Sequence, residues 1–215
     1  MLNLFKQKDN FFLGHNFSDI EEVFDDPHIN LAIWQRPIEN DVLRYIEFLY
    51  ASGFNSITLN INRKTWEEDI EEMFSTILPN SPFVDANPFK KDIGLLTSYF
   101  MRLSQSESVA LHLKSIDHNA CRKFHVDGYE SRLLCTYDGQ GTEWLENRNV
   151  NRRALGTENK KIVKNWKAIR QMKPFDVGFL KGENLKSPTG KGIVHRSPPI
   201  EATGKKRFLL RIDVL

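Results

Sequence analysis

His125-Val-Asp127 sets an imidazole and a carboxylate two residues apart. Side chains of an extended chain repeat every two residues, so both groups return to one face and can grip a single cation. A second imidazole would complete a set of two histidines and one carboxylate. That set leaves three adjacent positions of a six-coordinate metal open and suits non-haem Fe(II) oxygen chemistry. His195 is the candidate third ligand: it ends the short apolar run Gly192-Ile-Val-His, ahead of Arg196-Ser-Pro-Pro, and lies 68 residues beyond Asp127. Three predicted strands fill that interval, enough for the chain to travel around a barrel and return beside the first pair. The competing reading is two ordinary half-buried histidines and an aspartate capping the turn at Gly128. Among the other histidines, His15 and His28 lie in acidic, loop-rich surroundings, His112 fits a satisfied strand histidine, and His118 in Asp117-His118-Asn119 is a weak candidate for a second site.

The elements that must position these groups change character near the middle of the chain. Before it, Ile29–Gln35 and Asn55–Ile61 alternate as strands, and Asp41–Ser52 carries a helical apolar stripe stopped by Gly53. Thr65-x-x-Glu68 predicts a capping box opening a helix through Leu78, and Asn87-Pro88 opens another, with Ile93, Leu96, Tyr99, Phe100 and Leu103 at helical spacing. Beyond Ser108 come short extended runs: Val109–Ile116, Ser131–Tyr137, Thr142–Leu145, Phe175–Leu180, Gly192–His195 and Arg207–Val214. Turns such as Asp138-Gly-Gln-Gly141 and Ser187-Pro-Thr-Gly190 separate them, as in closed all-β sheets. The expected architecture is α+β, with an N-terminal mixed layer, 1–107, packed on a C-terminal β-barrel or sandwich, 108–215, as one compact unit.

Composition narrows the function classes. At 40% hydrophobic and 27% charged residues the chain can bury one substantial core. No run approaches the roughly 20 apolar residues of a membrane span, and Met1-Leu-Asn-Leu-Phe-Lys meets charge early, which points to the cytoplasm. Cys121 and Cys135 are too few for a disulfide framework and read as buried thiols. Arg148 to Lys173 holds nine basic residues against Glu158 alone, a solvated face or else a surface for an anionic partner. Nucleic acid ranks last among partners, because that segment lacks a recognised motif and interleaved stacking aromatics. No nucleophile elbow or phosphate-cradling glycine loop occurs.

The runs His125-Val-Asp-Gly-Tyr-Glu-Ser-Arg132 through Tyr137-Asp-Gly-Gln-Gly141-Thr-Glu-Trp144, Phe179-Leu-Lys-Gly182 and Gly192-Ile-Val-His195-Arg-Ser-Pro-Pro199 resemble domain-of-unknown-function family 1826 over nearly the whole chain. The order of motifs in the C-terminal half further resembles the Fe(II)/2-oxoglutarate-dependent oxygenases. That likeness implies a double-stranded β-helix, the jelly-roll or cupin-like core, with His125, Asp127 and His195 holding Fe(II); zinc or nickel could replace it in a purified sample. It also implies a basic residue past the distal histidine for the far carboxylate of 2-oxoglutarate. Arg207, twelve residues after His195, matches best; Arg211 falls on the same face, Tyr137 could add a hydroxyl, and Arg132 could orient the ligands or meet substrate. Leu209 departs from the serine those oxygenases commonly carry two residues after the arginine. Trp144, Phe175 and Phe179 are candidate pocket walls. The expected function is an oxygenase acting on an unknown small-molecule or protein substrate. The alternative is a non-catalytic divalent-metal protein of zinc or iron homeostasis, since the resemblance also associates the family with zinc-regulated metal-chaperone GTPases.

Overall fold

A computed structural model describes residues 10–183 and 190–215; the expected turn at 187–189 and the first nine residues lie outside the described part. The framework is a seven-stranded sheet in the order β1-β2-β8-β5-β10-β4-β3. Its strands are β1 (Phe11–Gly14), β2 (Leu31–Trp34), β3 (Ser56–Asn62), β4 (Ser108–Ile116), β5 (Ser131–Asp138), β8 (Val177–Lys181) and β10 (Arg207–Val214). A smaller sheet orders β7 (Arg170–Gln171), β6 (Glu143–Leu145) and β9 (Val194–Arg196). All neighbours are antiparallel except β1 and β2.

Strand alternation decides what each face of the large sheet does. Phe208, Leu210 and Ile212 of β10, with Leu133, Cys135 and Tyr137 of β5 and Phe179 of β8, face the helices and join one apolar core. Helices α1 (Phe17–Phe24), α2 (Asn40–Ala51) and α4 (Asn87–Ser104) cover that face with residues recurring every three or four positions: Phe17, Ile20 and Phe24; Val42, Tyr45 and Leu49; Phe89, Ile93, Leu96 and Phe100. Each such side chain contributes roughly 1.5–3 kcal/mol of burial, so the helical layer is a rigid backing to the sheet. On the opposite face the small sheet packs through Trp144 against Leu31, Ile33, Leu134 and Leu180, with Leu209 at the margin of that cluster.

Several elements depart from the sequence-based expectation. Thr65 forms no capping box: its hydroxyl donates to Asp69, and α3 (Trp66–Glu72) gives way to a π-turn at Met73–Ile77. Strand β1 and helix α1 are not among the expected elements, although Phe17, Ile20 and Phe24 recur at helical spacing. The basic segment forms short helical turns, among them α5 (Asn159–Ile162), on the surface. Cys135 is buried as expected, but Cys121 is exposed, because it sits in the loop after β4 rather than on a strand. Strands from both sides of residue 107 share the large sheet, β3 pairing with β4 and β2 with β8. Among the described residues no helix is long and apolar enough to cross a membrane.

Candidate metal centre

His125 and His195 come from segments 70 residues apart and are fixed side by side by backbone, each amide donating to the other's carbonyl at 3.0 Å. Directly opposed residues of an antiparallel pair project to the same face, so the two imidazoles stand together, ring centroids 4.6 Å apart. Strand β9 holds His195 from its other edge, where it pairs with Trp144 of β6. Asp127 follows two residues after His125 and is 8% exposed. Its Oδ1 lies 3.5 Å from His125 Nε2 and its Oδ2 3.3 Å from His195 Nε2. One ligand atom from each of the three lies within 4.8 Å of the others.

The hydrogen bonds behind the rings fix which nitrogen faces inward. His125 Nδ1 is 2.9 Å from the Lys123 carbonyl and His195 Nδ1 is 3.3 Å from the Ile193 carbonyl. A carbonyl can only accept, so each Nδ1 carries a proton, and in the neutral ring each Nε2 turns a lone pair toward Asp127. Burial pushes the His195 imidazole down to about 4, keeping it neutral. The neighbouring Asp127 carboxylate favours the protonated form of His125 and moves its imidazole upward in the absence of a cation. Burial works to raise Asp127, but the adjacent histidines and the Arg132 guanidinium outweigh it and hold the carboxyl at about 2. Asp127 Oδ2 is buried without a hydrogen-bond partner among the described residues. Three electron-pair donors thus converge with no proton of their own to share, which is the chemistry of a divalent cation site.

Arg132 secures the carboxylate from behind. Its Nη1 donates to Asp127 Oδ1 at 2.5 Å and its Nε to Asp213, which is also 3.5 Å from His112 Nε2. Gly182 completes the support: Glu183 donates its amide to the Asp127 carbonyl at 2.8 Å, and a Cβ on Gly182 would collide with the carbonyl oxygens of Tyr129 and Asp127.

A cleft of about 180 Å³ runs from the ligands along the same face, lined by His125, Arg132, Leu134, Thr142, His195, Arg207, Leu209, Lys114 and Arg211. Arg207 is 1% exposed and donates to Thr136 Oγ1 at 2.9 and 3.2 Å and to Thr142 Oγ1 at 2.7 Å. No carboxylate pairs with it among the described residues, and burial lowers its guanidinium to about 10.

Of the residues singled out in the sequence, the structure therefore brings together His125, Asp127, His195, Arg132, Arg207 and Arg211. Tyr137 is excluded. It shares a strand with Arg132 but has the opposite parity, so its hydroxyl donates to Asp92 at 2.6 Å within the helix-facing core. Phe175 and Phe179 fall in that core as well, whereas Trp144, paired opposite His195, packs against Leu134 and Ile193 beside the cleft. The basic residues Arg148 to Lys173 contribute no ligand, and Thr136 and Thr142 were missed. A hydroxyl on alternating positions of predicted strands carries no signal until its partner is known.

The family described as Protein of unknown function (DUF1826) matches residues 14–213. No curated protein matches the chain. Among solved structures, dioxygenase for auxin oxidation 1 from Arabidopsis thaliana, a binary complex with 2-oxoglutarate, is 8% identical at a TM-score of 0.52, with 95% of this chain and 91% of that one covered. A Pseudomonas putida prolyl-4-hydroxylase is 11% identical at a TM-score of 0.51, with 93% and 98% covered. At such identities the likeness is one of fold: a mixed α+β chain with a large sheet, similar to oxygenases built on a jelly roll.

Proposed function

The chain belongs to the family described as Protein of unknown function (DUF1826), and from that premise we propose that it is a metal-dependent oxygenase of the Fe(II)/2-oxoglutarate type. On this reading residues 108–215 supply the core of a double-stranded β-helix, whose large sheet the N-terminal strands extend and the N-terminal helices back. His125, Asp127 and His195 hold the metal, and Arg132 keeps Asp127 oriented through their shared hydrogen bond. Two neutral imidazoles and one carboxylate fit Fe(II) and leave coordination positions for exchangeable ligands. When bound, Fe(II) and 2-oxoglutarate together with O₂ supply an oxidant for an unactivated C–H bond, at the expense of the keto acid.

The observation that carries the reading is Arg207. A buried guanidinium without a carboxylate is costly, and its presence in the same cleft as the ligands is accounted for by an anion that arrives from solution. The planar fork of arginine suits the far carboxylate of a keto acid, and the hydroxyls of Thr136 and Thr142 hold the fork in place. Those hydroxyls take over the support expected of a serine at position 209, where Leu209 stands. Leu134, which lines the cleft, packs with Ile193 and Trp144 in a buried apolar cluster beside it. A protein that only stores or hands on a metal has no use for Arg207.

Anaerobic titration with Fe(II), with and without 2-oxoglutarate, tests the proposal. The expected result is a visible charge-transfer band that requires both additions and disappears in Asp127→Ala. Tight metal binding with no band at saturating 2-oxoglutarate would leave the non-catalytic metal-binding reading in its place.

A further inference from the structure

Arg207 and the metal ligands leave two cations of the same cleft unused, Lys114 and Arg211. Both stand on the ligand-facing side of the large sheet: in the β4–β10 register Lys114 is opposite Leu209 and Arg211 opposite His112. Arg211 approaches one carboxylate, Asp213, through Nε at 3.0 Å, without hydrogen-bond geometry, so its terminal nitrogens are uncommitted among the described residues. Asp213 is already shared with Arg132 and His112. Lys114 has no ion pair among the described residues, although it is only half exposed. The cleft and its immediate supports therefore set five cations, Lys114, Arg132, Arg196, Arg207 and Arg211, against three carboxylates, Asp127, Asp213 and Glu143, the last paired with Arg196. A dication and a dianionic cosubstrate cancel each other, so the surplus positive charge persists in the loaded protein.

Position separates the unused pair from Arg207. Four residues of strand place Arg211 about 13 Å from Arg207 along the backbone, toward the ligand-holding end where Asp213 meets Arg132. Lys114 lies between them, one strand nearer the open side of the sheet, where its neighbour across β3 is the exposed Ser56 and that of His112 is Thr58. An anion held there would lie on the substrate side of the metal ligands and away from the keto-acid clamp. We infer that Lys114 and Arg211 form the recognition site for an oxyanion, a carboxylate or a phosphate, on the primary substrate. The inference rests on the metal-centre reading, because it is the triad that makes this end of the cleft the reacting end.

Paramagnetic relaxation separates the two ideas. Mn(II) is added to the full-length protein, and water-proton relaxation reports whether it binds; ³¹P relaxation of inorganic phosphate and ¹³C relaxation of acetate then report oxyanions near the ion. The expected result is strong relaxation of at least one probe. It should fall at least fivefold in Lys114→Met/Arg211→Gln and persist in Arg207→Met, with Mn(II) binding unchanged in both and the melting temperature of Lys114→Met/Arg211→Gln unchanged. Whichever probe responds assigns the oxyanion as phosphate or carboxylate. Bound Mn(II) with no relaxation of either probe, or relaxation lost only in Arg207→Met, overturns the inference and leaves the metal centre standing. Mn(II) binding that is absent, or equal in His125→Ala/His195→Ala, overturns the metal centre and the inference with it.

Discussion

Two histidines, an aspartate and an arginine behave differently in this protein because of what stands behind them. The Lys123 and Ile193 carbonyls fix the tautomers of His125 and His195, and Arg132 fixes Asp127. Among the described residues Arg207 has only hydroxyl partners, so its burial opposes folding in the absence of an anion. Arg207→Met should raise the melting temperature of the ligand-free protein while weakening 2-oxoglutarate binding by a hundredfold or more, read by calorimetric titration. Metal affinity should stay within a factor of a few. The His195 shift carries a pH signature in the metal-free protein. Its folded value of about 4 lies below the ordinary 6.5, so the unfolded chain takes up a proton that the folded one refuses. Stability should fall as pH drops from 6.5 toward 4, by up to roughly 3 kcal/mol from this residue. His125, shifted upward, opposes part of that fall. Urea unfolding across this window in wild type and His195→Gln checks the sign: the slope should be shallower in the variant.

At the scale of elements, parity along a strand assigns the roles. In β5, Arg132, Leu134 and Thr136 face the cleft, while Leu133, Cys135 and Tyr137 face the helices. The bulge in the β5–β10 ladder between Phe208 and Leu209 leaves Tyr137 without an opposite residue on β10, yet its hydroxyl stays with Asp92. The stretch after β8 matters through its closeness to the 127–130 loop. A methyl group on Gly182 meets two backbone oxygens, which cannot yield as a side-chain tip can. Gly182→Ala should therefore displace Asp127 and lower metal affinity at least tenfold, measured by competition with a chelating dye. A fully retained affinity would mean that the loop is held by Arg132 alone.

Across the whole molecule, one core draws on both halves of the chain. Phe17, Tyr45, Phe89 and Phe100 from the N-terminal part pack with Tyr137, Phe179, Phe208 and Ile212 from the C-terminal part. The sheet is equally shared, since β8 is sandwiched between β2 and β5. A fragment of residues 108–215 would expose the helix-facing side of β5, β8 and β10 and leave β4 and β8 as open edges. It should show no cooperative unfolding transition and bind hydrophobic dye, whereas the whole chain should unfold in one step by circular dichroism. Cooperative melting of the fragment would mean that the N-terminal layer is an addition to a self-sufficient β domain.

The sequence by itself determined the ligand types and most elements. Helix α4, with Pro88 near its start and its stripe from Ile93 to Leu103, and strand β10, whose Phe208, Leu210, Ile212 and Val214 recur every second residue, have periods long enough to be read locally. His125 and Asp127 were legible for the same reason, being two residues apart on extended chain. Only the tertiary structure decided that His195 joins them, that Thr136 and Thr142 serve Arg207, and that Tyr137 turns away. These depend on register between strands distant in sequence and on the side of the sheet each residue takes. A register is set by the sum of many weak contacts across the sheet, and no single stretch of sequence contains that sum.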